Sequence, residues 1–126
     1  GWPTYDLVGV DGGTAAWLIA QHADHDVDQQ AEWLILLEEA VAEGQADPTE
    51  LAYLTDRVAV NRQQPQRYGT QIRCRGGVPA PATPIEDEAT VDTRRSDVGL
   101  GSLDAYYAEL SMMCAQEAAD GQGPAG

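Results

Sequence analysis

The chain contains only two histidines, His22 and His25, and both lie in one acidic segment, QHADHD (residues 21–26). Imidazole titrates near neutral pH, so a modest change of environment can set a histidine to exchange protons with a substrate. Two interpretations stay open for His22: a general acid and base, or a partly buried ring that hydrogen-bonds a helix end. For His25 the structural interpretation is favoured, because a helix would place it on another face than residues 18 and 22.

A metal site is a weaker alternative for the same segment. His22 and Asp26 are four residues apart, which is the spacing at which two side chains share one helix face. However, Asp26 has the pattern of a helix cap, and no third ligand with suitable spacing, such as a Glu-x-x-His pair, occurs elsewhere in the chain. We therefore expect neither a metal ion nor another cofactor.

A charged pair, Asp56 and Arg57, interrupts the apolar side of a predicted helix between Leu54 and Val58. The pair could be solvated, or it could bridge to an acidic neighbour. In the functional interpretation, Asp56 orients His22, and Arg57 anchors an anionic substrate or an oxyanion. The predicted catalytic residues are therefore His22, Asp56 and Arg57.

Neutral hydrogen-bonding side chains are dense around Gly69, in the segment QPQRYGTQ (residues 64–71). Such a loop could read the amide or hydroxyl groups of a ligand, or its side chains could satisfy its own backbone. The arginines of the chain add fork-shaped donors that suit a carboxylate, a phosphate or acidic helices. The predicted substrate-binding residues are Gln21, Asp24, Gln66, Tyr68, Gln71, Arg94 and Arg95.

All seven basic residues are arginines, against 21 acidic residues, which gives a net charge of −14. Such a charge repels nucleic acid and anionic lipid, so we expect no nucleic-acid partner and no membrane partner. The absence of lysine excludes Schiff-base chemistry. No apolar run approaches the ~20 residues that a membrane span needs, and we expect a cytoplasmic protein.

The two cysteines, Cys74 and Cys114, are 40 residues apart and neither belongs to a C-x-x-C pair, which argues against a metal cluster. Cys114 follows two methionines on an apolar stripe, as is typical of a buried, inert thiol. Cys74 lies between two arginines, which would lower a thiol pKa. One disulfide is possible in an oxidising compartment, but the sequence favours two free thiols.

Local signals place the helix boundaries. Asp47-Pro48-Thr49-Glu50 combines a capping aspartate, a proline at the first helical position and a glutamate at the third. Asp26, followed three residues later by Gln29, predicts a second boundary of the same kind. Two consecutive glycines place the start of the first helix near Thr14, after an extended segment at residues 1–12.

The predicted fold class is mainly α, with about five helices in one domain, residues 1–117, and a flexible C-terminal tail, residues 118–126. Prolines argue against a central strand in the middle of the chain and indicate a short hairpin or an irregular arm at about 64–85. The predicted helices are about 14–25, 27–43, 48–61 and 87–97, and a last one capped by Ser102.

Several short motifs occur in one order along residues 1–110: GWPT (1–4), QHAD (21–24), LTDRV (54–58), PQRYGTQ (65–71), PIED (84–87), VD (91–92), RR (94–95) and VGL (98–100). Together they resemble a family of small bacterial proteins, common in actinobacteria, that is catalogued as a domain of unknown function. The resemblance implies a mostly helical domain with a polar site shared by these motifs, and no known reaction. Members usually carry a further helix upstream of GWPT, so we expect a site completed by that helix to be incomplete here.

The leading hypothesis is a small cofactor-free enzyme in which His22 acts as general acid and base and Asp56 orients it. Arg57 and Gln71 would hold a carbonyl or carboxylate of a small amide- or peptide-like metabolite during hydrolysis or rearrangement, for example in natural-product tailoring. The alternative is a non-catalytic domain that binds a small molecule or a peptide. Either function is compatible with a homodimer.

Overall fold

Five helices and a two-stranded antiparallel hairpin make up the fold of the computed structural model, which describes residues 2–121. The mainly α architecture predicted from the sequence is therefore confirmed. In chain order the elements are α1 (Tyr5–Gln21), α2 (Val27–Ala42), α3 (Pro48–Asn61), β1 (Ile72–Arg75), β2 (Val78–Pro81), a 3₁₀ turn (Glu88–Thr90), α4 (Val91–Asp97) and α5 (Leu103–Gly121).

Side-chain caps fix the starts of α2, α3 and α5. The Asp26 carboxylate accepts a hydrogen bond from the Gln29 amide at 3.1 Å, and Asp47 accepts one from the Thr49 amide at 2.8 Å. Ser102 accepts one from the Ala105 amide at 3.1 Å. Each cap satisfies an N–H group that has no partner within its own helix, so these predicted starts agree with the structure.

The start of α1 differs from the prediction. Residues 5–12 are helical rather than extended, with one non-helical residue, Gly9 (φ 73°, ψ 175°). The Tyr5 amide donates to the Gln45 carbonyl at 3.1 Å, which ties this helix start to the chain between α2 and α3. Gly13, interpreted as a helix breaker, instead allows close packing: a Cβ there would lie 3.2 Å from the Tyr5 ring. Tertiary contact overrides the low helix propensity of glycine here.

The apolar core lies where α1, α2 and α3 pack together. Leu37 on α2 and Leu54 on α3 are fully buried, and Ala20, Ala40 and Val58 are nearly so. Changing Leu37 or Leu54 to alanine should cost about 2–5 kcal/mol. This packing fixes α3, and with it the polar side chains on its other faces.

The hairpin confirms the prediction for residues 64–85. Ile72 pairs with Pro81 and Arg75 with Val78, and the turn between the strands is made by Gly76 and Gly77, both at positive φ. Glycine adopts this backbone conformation without steric cost. The strand prolines are tolerated because a two-stranded sheet leaves one edge of each strand unpaired.

A disulfide joins Cys74 on β1 to Cys114 on α5, with 5.2 Å between the Cα atoms. The prediction of two free thiols is therefore wrong. The fully buried Cys114 does lie on an inward face of its helix, as expected, but the hairpin folds back onto that face and brings Cys74 with it. A separation of 40 residues in the sequence could not reveal this contact.

The last helix, α5, continues to Gly121, beyond Ala118, where the sequence predicted a tail to begin. Residues 122–126 of that predicted tail lie outside the described part of the chain. Among the described helices, none has the length and hydropathy needed to cross a lipid bilayer.

The disulfide generates a stability prediction. Replacing both cysteines by serine should lower the free energy of unfolding by about 2–4 kcal/mol, because the cross-link restricts a loop of 40 residues in the unfolded chain. Urea unfolding of the oxidised protein and the double variant measures the difference. The oxidised protein should also resist alkylation by iodoacetamide after unfolding, and rapid alkylation of both cysteines would contradict the bridge.

Candidate functional site

His22 lies at the C-terminal end of α1 with its side chain exposed. Its Nδ1 donates to the Leu18 carbonyl oxygen one turn earlier, at 2.9 Å, so the ring is tied to its own helix. His25 is also exposed. Within residues 2–121, no three histidine, cysteine or acidic side chains are grouped to hold a metal ion.

Asp56 is fully buried on α3, and its carboxylate accepts four hydrogen bonds from one loop. Oδ1 accepts from the amides of Arg67 (2.9 Å) and Tyr68 (3.1 Å). Oδ2 accepts from both the amide and the hydroxyl of Thr70, each at 2.8 Å. The predicted role of Asp56 in orienting His22 is therefore wrong, because its acceptor capacity is used by the loop.

This loop, which we call the Gln66–Gln71 loop, is held by its own side chains as well. The buried Gln66 accepts from the Gln71 amide at 2.9 Å and donates to the Gln71 carbonyl at 2.8 Å and the Thr83 carbonyl at 3.0 Å. Gly69 has positive φ, and a Cβ there would lie 2.8 Å from Ile85. The interpretation that these side chains satisfy their own backbone is correct for Gln66.

Two arginines of α4 hold the carbonyl side of the same loop. Arg94 Nε donates to the Arg67 carbonyl at 2.8 Å, and Arg95 Nη1 donates to the Tyr68 carbonyl at 2.9 Å. Asp56 thus takes the N–H groups of Arg67, Tyr68 and Thr70, and the two arginines take the C=O groups of Arg67 and Tyr68. Since buried backbone groups must be paired, these charged side chains stabilise an otherwise unfavourable buried loop.

Arg57, the next residue on α3, faces a different neighbour. Its Nε donates to Asp24 Oδ1 at 2.9 Å, and its Nη1 donates to Gln71 Oε1 at 3.1 Å. Asn61 also donates to Asp24 Oδ1, at 2.7 Å. The hydrogen bond from Arg57 is the main cause that lowers the pKa of Asp24 to about 2, so this carboxylate is ionised at neutral pH.

These side chains border an open cleft of about 320 Å³ between α3 and the hairpin, which we call the α3–hairpin cleft. Arg73 on β1 is exposed at this cleft and makes no ion pair or hydrogen bond with another described side chain. The cleft residues are Asp24, Arg57, Val60, Asn61, Gln71, Ile72, Arg73 and Ala82.

The predicted site residues thus divide into three groups. Gln21 Nε2 donates weakly to the Tyr53 carbonyl at 3.4 Å, while its buried side-chain oxygen Oε1 has no partner among the described residues. It lies outside the α3–hairpin cleft, as His22 does. Asp24, Arg57 and Gln71 come together at the cleft, whereas Asp56, Gln66, Tyr68, Arg94 and Arg95 build the loop.

Two polar cleft residues, Asn61 and Arg73, were not among the predicted site residues. Asn61 lies four residues after Arg57, so the helical repeat could have placed both on one face of α3. Arg73 could not be assigned in this way, because its position depends on how the hairpin folds against α3.

Asp56 should be essential for stability. Burial raises its pKa, while the hydrogen bonds from the loop oppose that shift. Asp56→Asn places an NH₂ group where an oxygen accepts from N–H donors, so it should lower the unfolding free energy by about 2–4 kcal/mol. Urea unfolding measures this, with the exposed Asp28→Asn as the control, which should change it by under about 0.5 kcal/mol. Equal midpoints for the two variants would contradict the buried role.

The Asp24–Arg57 pair generates a pH prediction. The lowered pKa means that ionised Asp24 stabilises the fold above its ordinary pKa of 3.8, and that this contribution is lost as the pH falls towards 2. Titration of the Asp24 carboxyl carbon by NMR should give a midpoint near 2, and Arg57→Met should move it up towards 3.8. Arg75→Met, away from Asp24, is the control. An unchanged midpoint in Arg57→Met would show that the pair is not formed.

Comparisons with known proteins agree with the resemblance seen in the motifs. Residues 1–115 match the model of a family described as a family of unknown function (DUF6624). No curated protein and no solved structure matches the chain. The matched range includes every residue of the α3–hairpin cleft and of the Gln66–Gln71 loop. The chain therefore belongs to this family of unknown function, DUF6624.

Proposed function

We propose that this protein is a binding domain for a small peptide-like molecule that carries an amide and a carboxylate. The ligand would lie in the α3–hairpin cleft. The observation that supports this proposal is the charge of the cleft, where two arginines, Arg57 and Arg73, face one carboxylate, Asp24.

The two arginines make this cleft locally positive on a chain whose net charge is −14. Arg57 is oriented by Asp24 and Gln71, so its guanidinium needs little reorganisation when a ligand arrives. Arg73 has no acidic partner among residues 2–121. A ligand carboxylate would supply that partner, and arginine is well suited to bind a carboxylate through two parallel hydrogen bonds.

The amide part of the proposal comes from the hydrogen-bonding capacity that Asn61 and Gln71 keep. Asn61 Nδ2 donates to Asp24 and, at 2.9 Å, to Gln30, which leaves its Oδ1 to accept from a ligand amide, and Gln71 Nε2 keeps one N–H group to donate. Gln71 is buried and fixed on both sides, since it accepts from Arg57 and donates to the Thr70 hydroxyl at 3.1 Å. The cleft volume of about 320 Å³ lies at the lower end of the range of roughly 300–1,000 Å³ found for ligand pockets, which suits a small ligand of dipeptide size.

Catalysis by His22 stays a prediction of the sequence. Its ring does not line the cleft, and Asp56 is not available to orient it. A proton-transfer group must reach the reacting atom within hydrogen-bond distance or through one water. The geometry therefore favours the binding function, which was the alternative hypothesis, over hydrolysis or rearrangement.

The expected cytoplasmic location also stays a prediction, and the Cys74–Cys114 disulfide argues against it. Cytosolic thiols are kept reduced, whereas disulfides persist in oxidising compartments. The binding proposal does not depend on the compartment, because neither cysteine lines the cleft.

Binding can be tested with N-acetylglycine, which combines one amide and one carboxylate. In a ¹H–¹⁵N NMR titration we expect saturable shifts of the Gln71, Ile72 and Arg73 amides. Arg73→Gln should weaken binding about tenfold, the value of one charged hydrogen-bonded contact. Arg75→Gln removes the same charge from the same strand face but does not line the cleft, so it should change the affinity less than twofold.

Two further probes test the contributions of the amide and of the carboxylate to binding separately. Acetate lacks the amide and N-acetylglycine amide lacks the carboxylate, and both should bind more weakly than N-acetylglycine. Equal affinity for all three probes, or equal effects of Arg73→Gln and Arg75→Gln, would overturn the proposal. One-dimensional ¹H spectra of the same samples report hydrolysis: acetate released by the wild type but not by His22→Ala would favour the enzyme hypothesis instead.

A further inference from the structure

A second cavity, of about 170 Å³, lies beside α3 and is bordered by α4, α5 and the chain between them. We propose that this Arg95 cavity is a binding site for a small zwitterion such as an α-amino acid. The ligand carboxylate would bind Arg95, and its ammonium group would face Glu109. The cavity residues are Tyr53, Arg95, Leu100, Gly101, Ser102, Ala105, Tyr106 and Glu109.

The first argument is the buried charge of Arg95, a residue that is only 2% exposed. Among the described residues, no carboxylate forms an ion pair with it. Its Nε donates to the Gly101 carbonyl at 2.7 Å and its Nη1 to the Tyr68 carbonyl, while Nη2 donates to no described residue. Burying a charge is costly unless an opposite charge compensates it, and a bound carboxylate would provide this compensation.

The second argument is that the guanidinium is already held in position. The Arg95 Cζ lies 5.1 Å from the centre of the Tyr106 ring, in cation–π contact. The Tyr106 hydroxyl donates to the Thr70 carbonyl at 2.8 Å, which fixes this ring in turn. The two carbonyl partners and the ring therefore set the direction of the free donor before any ligand arrives.

Helix α5 gives additional support, since its cap, Ser102, borders the cavity together with Ala105 and Tyr106 of its first turn. The N-terminal end of a helix carries partial positive charge, which favours an anionic group nearby. Asp92 accepts from the Leu103 amide at this helix end at 2.8 Å, which offsets part of the dipole, so the site is defined by Arg95.

Glu109 selects the class of ligand. It is exposed, it borders the same cavity, and it forms no ion pair with a described residue. Its negative charge disfavours a simple anion but attracts a ligand ammonium group. The cavity of about 170 Å³ is smaller than the roughly 300 Å³ at which pockets for drug-sized ligands begin, and its one positive and one negative group suit a small zwitterion.

This inference is independent of the function proposed for the α3–hairpin cleft. The two cavities have no lining residue in common. Arg73→Gln should therefore leave binding in the Arg95 cavity unchanged, and failure of one proposal is distinguishable from failure of the other.

Glycine and acetate are the probes for the test, each titrated into the full chain at constant ionic strength and followed by ¹H–¹⁵N NMR. We expect glycine to shift the Arg95 side-chain Nε signal and the amides of residues 101–106 in a saturable way. Acetate should bind about three- to fivefold more weakly, the effect of one partly solvated charge pair. Glu109→Gln should abolish this preference by weakening glycine and strengthening acetate.

Glu117→Gln is the matched control, because it removes the same charge from the same helix but lies outside the cavity. It should leave the preference for glycine unchanged. Arg95→Lys should weaken both probes about tenfold, and if that variant does not fold, the Glu109 comparison still decides. No saturable shift with glycine, or equal effects of the two glutamate variants, would overturn the proposal.

Discussion

The Gln66–Gln71 loop and the two cavities beside it depend on the hydrogen bonds that the buried Asp56 carboxylate accepts. The carboxylate accepts four hydrogen bonds from the Gln66–Gln71 loop, three from backbone N–H groups and one from a hydroxyl. Because an isolated buried carboxylate is unfavourable, the charge and the loop stabilise each other. Loops normally lie on the surface. This loop is partly buried, and side chains form the hydrogen bonds that its backbone would otherwise make with water.

Both candidate sites depend on the position of this loop. On one side it positions Gln71 to accept a hydrogen bond from Arg57, and both residues line the α3–hairpin cleft. On the other side, the carbonyls of Tyr68 and Thr70 hold Arg95 and Tyr106. The adjacent residues Asp56 and Arg57 therefore have different roles. One is structural and faces the loop, while the other faces the open cleft.

The sequence predicted the elements well where local chemistry decides them. The caps Asp26, Asp47 and Ser102 are signals of a few residues, and they gave the starts of three helices. It failed where distant contacts decide. The packing of Gly13 against Tyr5 and the pairing of Cys74 with Cys114 cannot be read from local patterns.

The sequence indicated which polar residues belong to the site better than it indicated what each of them does. Asp24, Arg57 and Gln71 were all predicted as site residues and all three border one cleft, while their joint role in binding stays a prediction. The pairing of Asp56 with His22 was wrong because the sequence cannot show that loop amides occupy the carboxylate. The sequence did not predict the burial of Arg95 either, because it does not show tertiary contacts and a charged residue ordinarily lies at the surface.

Native-state hydrogen exchange tests most directly whether Asp56 holds the loop. The amides of Arg67, Tyr68 and Thr70 donate to its carboxylate, whereas the Gly69 amide between them makes no such bond. We expect the first three to exchange as slowly as core amides of α3, through global unfolding only, and Gly69 to exchange faster. Fast exchange of all four amides would show that the loop opens independently, and would contradict the account.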